Sequence, residues 1–387
     1  MRKKKANWKQ RAGVALVVVL GGAFGVAIAS QGHHLDLLGV GQDLVTFYLP
    51  SFLGLVGAFY LQVLLHEAGH LVFGWISGYR FVSFRVGSLM LIRQGDRLAL
   101  RRLVIPGTVG QCLMAPPEMV DGRFPARLYN LGGGLFNLVS AALLLGLRSL
   151  PGLNPQISLL LFIAGLLGLV IGLVNLIPIK TRMLSNDGHN ALTLEQHPEA
   201  LRALWLQLTI NARLAEGQRL RDMPEDWFAL PDEDSHQDTH TAAIAVIAAN
   251  RLMDQERFME TDALMARLLA RPGAMAGLHR QLLACDRIYL ELLDQNRDSV
   301  LKSLDSPDMA RFMKAMKAFP SVLRTRYAQA LLKDGDPEKA QGIQAQFDRV
   351  ARRYPYPADI RAEQELMVRA EARYQERERR MAEAPAD

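Results

Sequence analysis

Cysteine is nearly absent from this chain of 387 residues: only Cys112 and Cys285 occur, and they lie far apart. Two isolated cysteines exclude a disulfide framework and a zinc site built on paired thiolates. Their scarcity is typical of a protein in a reducing compartment, where thiols stay free. Both side chains are therefore predicted to be packed thiols.

Charge is missing from four long stretches in the first half of the chain. Residues 12–30, 128–147 and 149–179 carry no charged side chain, and residues 44–79 carry only Glu67. A helix of about 20 apolar residues is long enough to cross the hydrocarbon core of a bilayer. The predicted fold class is therefore mainly α, with about four membrane spans followed by a soluble helical half.

The first uncharged stretch has two interpretations. The basic residues before it and the Ala27-Ile28-Ala29 sequence near its end resemble a cleaved secretory signal. The apolar run is longer than such signals usually have, which favours an uncleaved span. Both interpretations place residues 31–43 on the outer side of the membrane.

Lysine and arginine are unevenly distributed around the predicted spans. Six precede the first span, none lies in residues 31–43, and eight arginines lie in residues 80–127. Because positive residues concentrate on the cytoplasmic side, this predicts a multi-pass protein of the cell membrane whose N-terminus, middle loop and C-terminal half are cytoplasmic. The net charge of +6 is explained as a topology signal, and no nucleic-acid partner is expected.

The second predicted span contains the sequence His66-Glu67-Ala68-Gly69-His70. Residues four apart lie on one face of a helix, so two imidazoles at this spacing can bind one zinc ion. Glu67 lies beside them and can act as general base toward a zinc-bound water. Ionisable groups are costly inside a membrane, which favours a Zn²⁺ site over a chance match to the pattern.

Two histidines leave zinc short of its usual number of ligands, so a third protein ligand is expected. Asp187 follows the fourth span, in Asn186-Asp187-Gly188-His189. His66 lies roughly 24–33 Å along the second span, and an inward-running fourth span returns Asp187 to the same level. Asp187 is therefore the predicted ligand, with His189 as the rival.

Two further motifs accompany the histidine pair. One is Asn175-Leu176-Ile177-Pro178 followed by Asp187-Gly188, and the other is Gly133-Gly134-Leu135-Phe136-Asn137. With these motifs in this order, about residues 44–190 resemble the site-2 protease family of intramembrane zinc metalloproteases. The resemblance implies that His66, His70 and Asp187 hold zinc and that Glu67 is the catalytic base.

The resemblance also implies that the glycines form a turn at the start of the intervening helix and that Asn137 belongs to the catalytic site. Asn137 could donate a hydrogen bond to the developing oxyanion or hold the substrate strand. A hydrogen bond between two helices is the alternative. Asn175 and Pro178 would break the fourth span near the metal, where irregular backbone is tolerated if it lines a cavity or is buried.

The loop of residues 80–127 contains stretches of period two, and Gln94-Gly95-Asp96 lies between two of them. This pattern predicts a β-hairpin. The resembled family has a membrane-associated β element after its first core helix, and such an element could pair with a substrate that unwinds from helix to strand. An ordinary surface hairpin is the alternative.

A similar phrase recurs in the C-terminal half: Leu252-Met253-Asp254, Leu292-Leu293-Asp294, and Leu331-Leu332 with Asp334, the aspartates 40 residues apart. Each phrase is predicted to end a helix, which resembles degenerate tetratricopeptide-like helix pairs that could bind a cytoplasmic protein or peptide. A plain helical bundle is the alternative. Residues 217–238 are predicted to be a linker or long loop, and the charged stretch from Ala362 a solvated helix.

The predicted organisation has three parts. Residues 1–43 form a basic tail, the first span and an outer loop, residues 44–193 an intramembrane zinc protease core, and residues 194–387 a cytoplasmic helical domain. The implied function is proteolysis of membrane-spanning or membrane-proximal segments of protein substrates. One alternative is a catalytically inactive membrane scaffold that recruits partners through its C-terminal domain. Another is a membrane zinc protease with a glutamate as third ligand and soluble substrates.

Overall fold

The structure is a computed structural model. It describes residues 49–180, 185–230, 239–270, 275, 277–295, 297, 300–302 and 306–383. The predicted first span, at residues 12–30, lies outside these ranges. The chain divides into two compact units: the first contains the residues up to Ser88 and Gly107–Trp205, and the second contains Leu89–Pro106 and the residues from Leu206 onward.

Three long helices dominate the first unit. Between residues 49 and 215 the helices and strands are, in chain order, α1 (Leu49–Ile76), β1 (Arg80–Val86), β2 (Leu89–Gln94), β3 (Arg97–Arg102), β4 (Gly110–Ala115), α2 (Ala126–Leu147), α3 (Pro155–Leu176), α4 (Asp187–Thr193) and α5 (Pro198–Ala215). Of these, β2 and β3 belong to the second unit, and the division between the units falls within α5.

Within the described residues, three helices are long and apolar enough to cross a membrane: Phe52–Ile76, Ala126–Leu147 and Pro155–Leu176. At most 33% of the most apolar window of each is buried within the protein, and large side chains such as Trp75 and Leu143 are exposed. A continuous apolar exterior of this kind is rare on soluble proteins and marks a surface that contacts lipid or another protein. These helices correspond to the second, third and fourth predicted spans.

Gly133 and Gly134 lie inside α2, so the prediction that they form a turn at its start is wrong. The helix begins earlier, at Ala126, directly after Pro125. Gly132 crosses Gly69 of α1 so closely that a Cβ atom on either residue would overlap the carbonyl oxygen of the other. Small residues allow two membrane helices to approach in this way.

The helix α3 is shorter than the uncharged stretch that predicted it. Asn154 caps its N-terminus by accepting a hydrogen bond from the backbone N–H of Gln156. At the other end, Ile177 takes an extended conformation before Pro178, which lacks the N–H that a helix needs. The predicted break after Asn175 is therefore present.

Two antiparallel strand pairs follow α1 in the chain. In the first unit β1 pairs with β4, from Arg80 opposite Ala115 to Val86 opposite Gly110, with one irregularity at Val82. In the second unit β2 pairs with β3, and Gln94 opposite Arg97 leaves Gly95 and Asp96 as the turn. This confirms the predicted hairpin, and Gly95 has the positive φ of 60° that such a turn requires.

Where the structure describes the second unit, its regular elements other than this hairpin are helices. Its further helices are α6 (Thr239–Asp254), α7 (Phe258–Ala270), α8 (Gly277–Leu290), α9 (Pro307–Ala315), α10 (Pro320–Ala328), α11 (Pro337–Ala351) and α12 (Pro357–Glu383). The three recurring phrases do lie at helix ends. Asp254 ends α6, and the other two lie in or directly after π-helical turns, Glu291–Gln295 after α8 and Gln329–Lys333 after α10.

Two parts of this unit are more tightly packed than the sequence predicts. The first is the predicted linker, which the structure describes as far as Leu230. Its Arg219 side chain is 6% exposed and forms ion pairs with Asp254 and Glu365. Met223 in the same segment is buried. The rest of that segment, residues 231–238, lies outside the described ranges. The helix α12 is not wholly solvated, because Leu366, Met367 and Ala370 are buried along one face. Its guanidinium groups Arg373 and Arg377 donate to backbone carbonyls of the two π-helical turns.

Candidate metal centre

The side chains of His66, His70 and Asp187 converge in the first unit as a group that could hold a metal ion. The helix α1 places the two imidazoles one turn apart on the same face. Asp187 is the first residue of α4, just after the end of α3, so the break in that helix brings its carboxylate to the histidines. His189, the rival ligand in the sequence, does not belong to the group.

The three candidate ligand atoms form a nearly equilateral triangle. Nε2 of His66 lies 3.2 Å from Nε2 of His70, and Oδ2 of Asp187 lies 3.2 Å and 3.3 Å from these two nitrogens. Tetrahedral zinc with bonds of about 2.0–2.1 Å requires about 3.3 Å between neighbouring ligand atoms. The spacing therefore fits three protein ligands of a four-coordinate ion and leaves one position for water or substrate.

Hydrogen bonds on the other ring nitrogens orient both histidines. Nδ1 of His66 lies 2.7 Å from Oδ1 of Asn137, and Nδ1 of His70 lies 2.8 Å from the carbonyl oxygen of Tyr129. Both partners are acceptors, so each imidazole donates from Nδ1 and turns Nε2 toward the site, where this nitrogen can bind a metal once it carries no proton. Metal-binding histidines are held by outer hydrogen bonds of this kind.

Asp187 is positioned by its neighbour Asn186, a residue whose role the sequence reasoning missed. The Asn186 side chain accepts hydrogen bonds from the backbone N–H groups of Ile179 and His189, and it donates to the carbonyls of Val174 and Ile177. It therefore caps α4 and closes the loop after α3 at once. An asparagine directly before an Asp-Gly pair was the available signal for such a cap.

The carboxyl group of Asp187 is held in its ionised form. Burial acts to raise its pKa, but the imidazoles of His70 and His66 lower it, and the net result is a pKa well below the usual range. An ionised carboxylate is the form that binds a metal. Cys112, in β4, is different: burial raises the pKa of its thiol, and it does not belong to the group of candidate ligands.

Glu67, the predicted base, is 8% exposed and follows His66 directly. Its carboxylate interacts electrostatically with His70, His66 and Asp187, and it accepts a hydrogen bond from the backbone of Cys112 in β4. A Cβ atom on Gly110, at the start of β4, would lie 2.9 Å from its Cδ. The Glu67 carboxylate is therefore enclosed between α1, which carries the two candidate histidine ligands, and strand β4.

Gly133 faces the candidate ligands from α2. A Cβ atom there would lie 2.6 Å from Nε2 of both His66 and His70, which is too close for any side chain. The glycine therefore leaves the volume beside the ligand nitrogens free. The lack of a side chain at Gly133 is therefore explained by the space needed at the candidate site and not by a turn.

Asn137 lies beside His66, and its contacts are those of a hydrogen bond between helices. Besides facing His66, it donates from Nδ2 to the backbone oxygen of Gln62 at 2.9 Å and to Oε1 of Gln62 at 2.8 Å. Both amide hydrogens are used within the protein, which does not support donation to an oxyanion. Sequence reasoning missed Gln62, although a polar residue one turn before His66 in an apolar helix was visible.

Comparisons with known proteins give no relative: no protein family, no curated protein and no solved structure matches this chain.

Proposed function

We propose that this protein is an intramembrane zinc metalloendopeptidase that cleaves membrane-spanning or membrane-proximal segments of protein substrates. The observation that carries the proposal is the convergence of His66 and His70, which lie with Glu67 on a helix of spanning length, with Asp187, which follows the end of a second such helix. The donor set of two imidazoles and one carboxylate is typical of a catalytic zinc site with an open position.

The residues around the site divide the chemistry among them. Zinc, when bound, would acidify a coordinated water and polarise the substrate carbonyl. Glu67 would take a proton from the attacking water and return it to the leaving amine nitrogen. The buried position of Glu67 beneath β4 supports this role, because a base enclosed by protein is shielded from bulk solvent.

The proposal includes a location and a route for substrate. The arginine-rich loop and tail support a cell-membrane protein with its N-terminus and C-terminal domain in the cytoplasm. The β2–β3 hairpin has Leu89, Leu91, Leu98 and Leu100 exposed. An apolar strand pair of this kind suits a membrane-associated element or an extended substrate segment. The tetratricopeptide-like interpretation of the second unit would add a cytoplasmic protein partner.

The alternatives explain less. An inactive membrane scaffold has no need for three ligands at zinc-like spacing, a general base and a glycine that clears the ligand atoms. A zinc protease with a glutamate as third ligand is disfavoured because Asp187 occupies that position among the described residues.

A map of new protein N-termini in host-cell membranes tests the proposal. Cells producing the native chain are compared with cells producing Glu67→Gln, which keeps the side-chain volume but loses the base. We expect N-termini inside predicted membrane segments to disappear with Glu67→Gln. Indistinguishable maps under several stress conditions, with both proteins present at equal levels, would favour the scaffold.

A further inference from the structure

We propose that Gln62 is a positioning residue for the zinc site, acting through Asn137 to fix the ring of His66. This inference rests on the proposed zinc site but assigns a residue that the catalytic proposal does not use. Gln62 lies one helical turn before His66 in α1 and has no exposed surface. Among the described residues its side chain hydrogen-bonds Asn137, Ser140 and Ala164, and Asn137 is the one of these partners that faces a candidate ligand.

The contacts form a directed chain of hydrogen bonds across three helices. Nε2 of Gln62 donates to the carbonyl oxygen of Ala164 in α3 at 2.9 Å. Oε1 of Gln62 then accepts from Nδ2 of Asn137 in α2 at 2.8 Å. Oδ1 of Asn137 is thereby turned toward Nδ1 of His66 at 2.7 Å. Each link determines which end of the next amide is donor and which is acceptor.

The direction of these hydrogen bonds determines which ring nitrogen of His66 acts as the donor. Because the carbonyl of Ala164 can only accept, Gln62 presents Oε1 to Asn137. This oxygen and the backbone oxygen of Gln62 both accept from Nδ2 of Asn137, which leaves Oδ1 of Asn137 for the imidazole. His66 then holds its proton on Nδ1, which keeps Nε2 available as a ligand. The single proton of the Ser140 hydroxyl is shared between the backbone oxygen of Asn137 at 2.9 Å and Oε1 of Gln62 at 3.2 Å, and both of these atoms are acceptors.

Burial makes the arrangement selective. Gln62 and Asn137 are both fully buried. An amide without partners in such an environment is costly, so the flipped arrangements, which oppose two acceptors or two donors, are disfavoured. A network in which every member is satisfied has one low-energy orientation, and that orientation is the one that prepares His66.

Gly168 of α3 makes room for the Gln62 side chain. A Cβ atom at this position would lie 2.7 Å from Nε2 of Gln62 and 2.9 Å from its Cδ and Oε1. These atoms are the far end of a flexible side chain, so Gly168→Ala would displace the amide rather than the backbone. The substitution therefore disturbs Gln62 from a different helix without altering Gln62 itself.

Zinc affinity of the purified full-length protein, measured by competition with a chelator, tests the inference. We expect Gln62→Met, which keeps the volume but removes the hydrogen bonds, to weaken zinc binding by about tenfold, at the low end of the effect of outer hydrogen bonds on a metal site. Gly168→Ala should weaken it in the same direction. Gly57→Ala in α1 is the control, because nothing lies within 4 Å of its added Cβ atom.

A double-mutant cycle separates positioning from general destabilisation. If Gln62 acts through Asn137, Gln62→Met should cost little further affinity in an Asn137→Leu background. Unchanged affinity in Gln62→Met, or losses that add in the double variant, would overturn the inference. Native protein that binds no zinc would instead refute the proposed function, so the two failures are distinguishable.

Discussion

Nδ1 of His70 lies 2.8 Å from the backbone carbonyl oxygen of Tyr129, a partner that no side-chain substitution can remove. Nδ1 of His66, in contrast, faces the side chain of Asn137. Both histidines therefore direct Nε2 toward the site, with their ring planes 81° apart, but they depend on different kinds of support. His70 is held by the backbone of α2, whereas His66 is held by a side-chain amide that a substitution can remove.

Substitution of the two supporting residues should separate zinc affinity from stability. Tyr129→Phe keeps the carbonyl that holds His70 but loses the 2.8 Å hydrogen bond from the Tyr129 hydroxyl to the carbonyl of Cys112. We expect it to leave zinc affinity unchanged and to lower the free energy of unfolding by about 1 kcal/mol. Asn137→Leu should weaken zinc binding by roughly 10–100-fold. A chelator titration of both variants checks this, and a larger loss of affinity in Tyr129→Phe would contradict it.

Gly133→Ala should abolish the metal site without unfolding the helices. Its Cβ atom would lie 2.6 Å from the ligand nitrogens of His66 and His70, so the imidazoles would have to move apart. We expect zinc content to fall to background while helical circular dichroism stays unchanged. Gly146→Ala, in the same helix with nothing within 4 Å of the new atom, is the matched control and should retain zinc. Full zinc occupancy in Gly133→Ala would show that the metal binds elsewhere.

Several features of the fold follow from local patterns in the sequence. Uncharged stretches predict the three helices, Gly95 predicts the hairpin turn, and the spacing of His66 and His70 predicts one shared face. The order of the charged and apolar segments also brings Asp187 to the correct level. These features are predictable because each depends on residues close together in the chain or on the length of a membrane-spanning helix.

The parts that could not be predicted depend on which helices touch. Gln62 and Gly168 are ordinary residues in their own helices, and only the packing of α3 against α1 makes them partners. The error about the glycine turn has the same origin, because the glycines serve a crossing with α1 rather than a local change of direction. In the second unit, the sequence of the segment around Arg219 is typical of a linker. Its ion pairs with Asp254 and Glu365 depend on the packing of distant helices and could not be predicted.

The second unit contains a buried ion cluster whose disruption should be severe. The guanidinium of Arg324 is 1% exposed, pairs with Asp286 at 2.6 Å and Glu363 at 2.9 Å, and lies over the ring of Tyr289. Removing it leaves two carboxylates in the interior, so Arg324→Met should cost about 3–5 kcal/mol.

Hydrogen exchange of backbone amides in α8 and α12, the helices that carry Asp286 and Glu363, measures the loss of stability in Arg324→Met. The control is Arg311→Met, which breaks an exposed pair with Asp308 and should cost less than about 1 kcal/mol. Equal protection factors in the two variants would contradict the account of the cluster.

Stability of the second unit should depend on pH through Asp359. Burial, with smaller contributions from Glu363 and Asp254, raises the pKa of this carboxyl from 3.8 to about 7. Between about pH 4 and pH 7 the folded state therefore holds a proton that the unfolded state has lost, so the contribution to stability falls as the pH rises. The slope from one such group is at most about 1.4 kcal/mol per pH unit.

Asp359→Asn, which cannot ionise, isolates this effect. Amide exchange in α12 should show greater stability of the variant relative to the native chain at pH 7.5 than at pH 4.5. A difference between the two proteins that does not change with pH would contradict the raised pKa.

The measurement that tests the central claim most directly is the zinc content of the purified chain, compared with Asp187→Ala and His189→Ala. The account predicts about one zinc ion per chain for the native protein and for His189→Ala, and a large loss for Asp187→Ala, because only Asp187 completes the ligand triangle. Unchanged zinc in Asp187→Ala, or loss of zinc in His189→Ala alone, would contradict the assignment of His66, His70 and Asp187 as the metal centre.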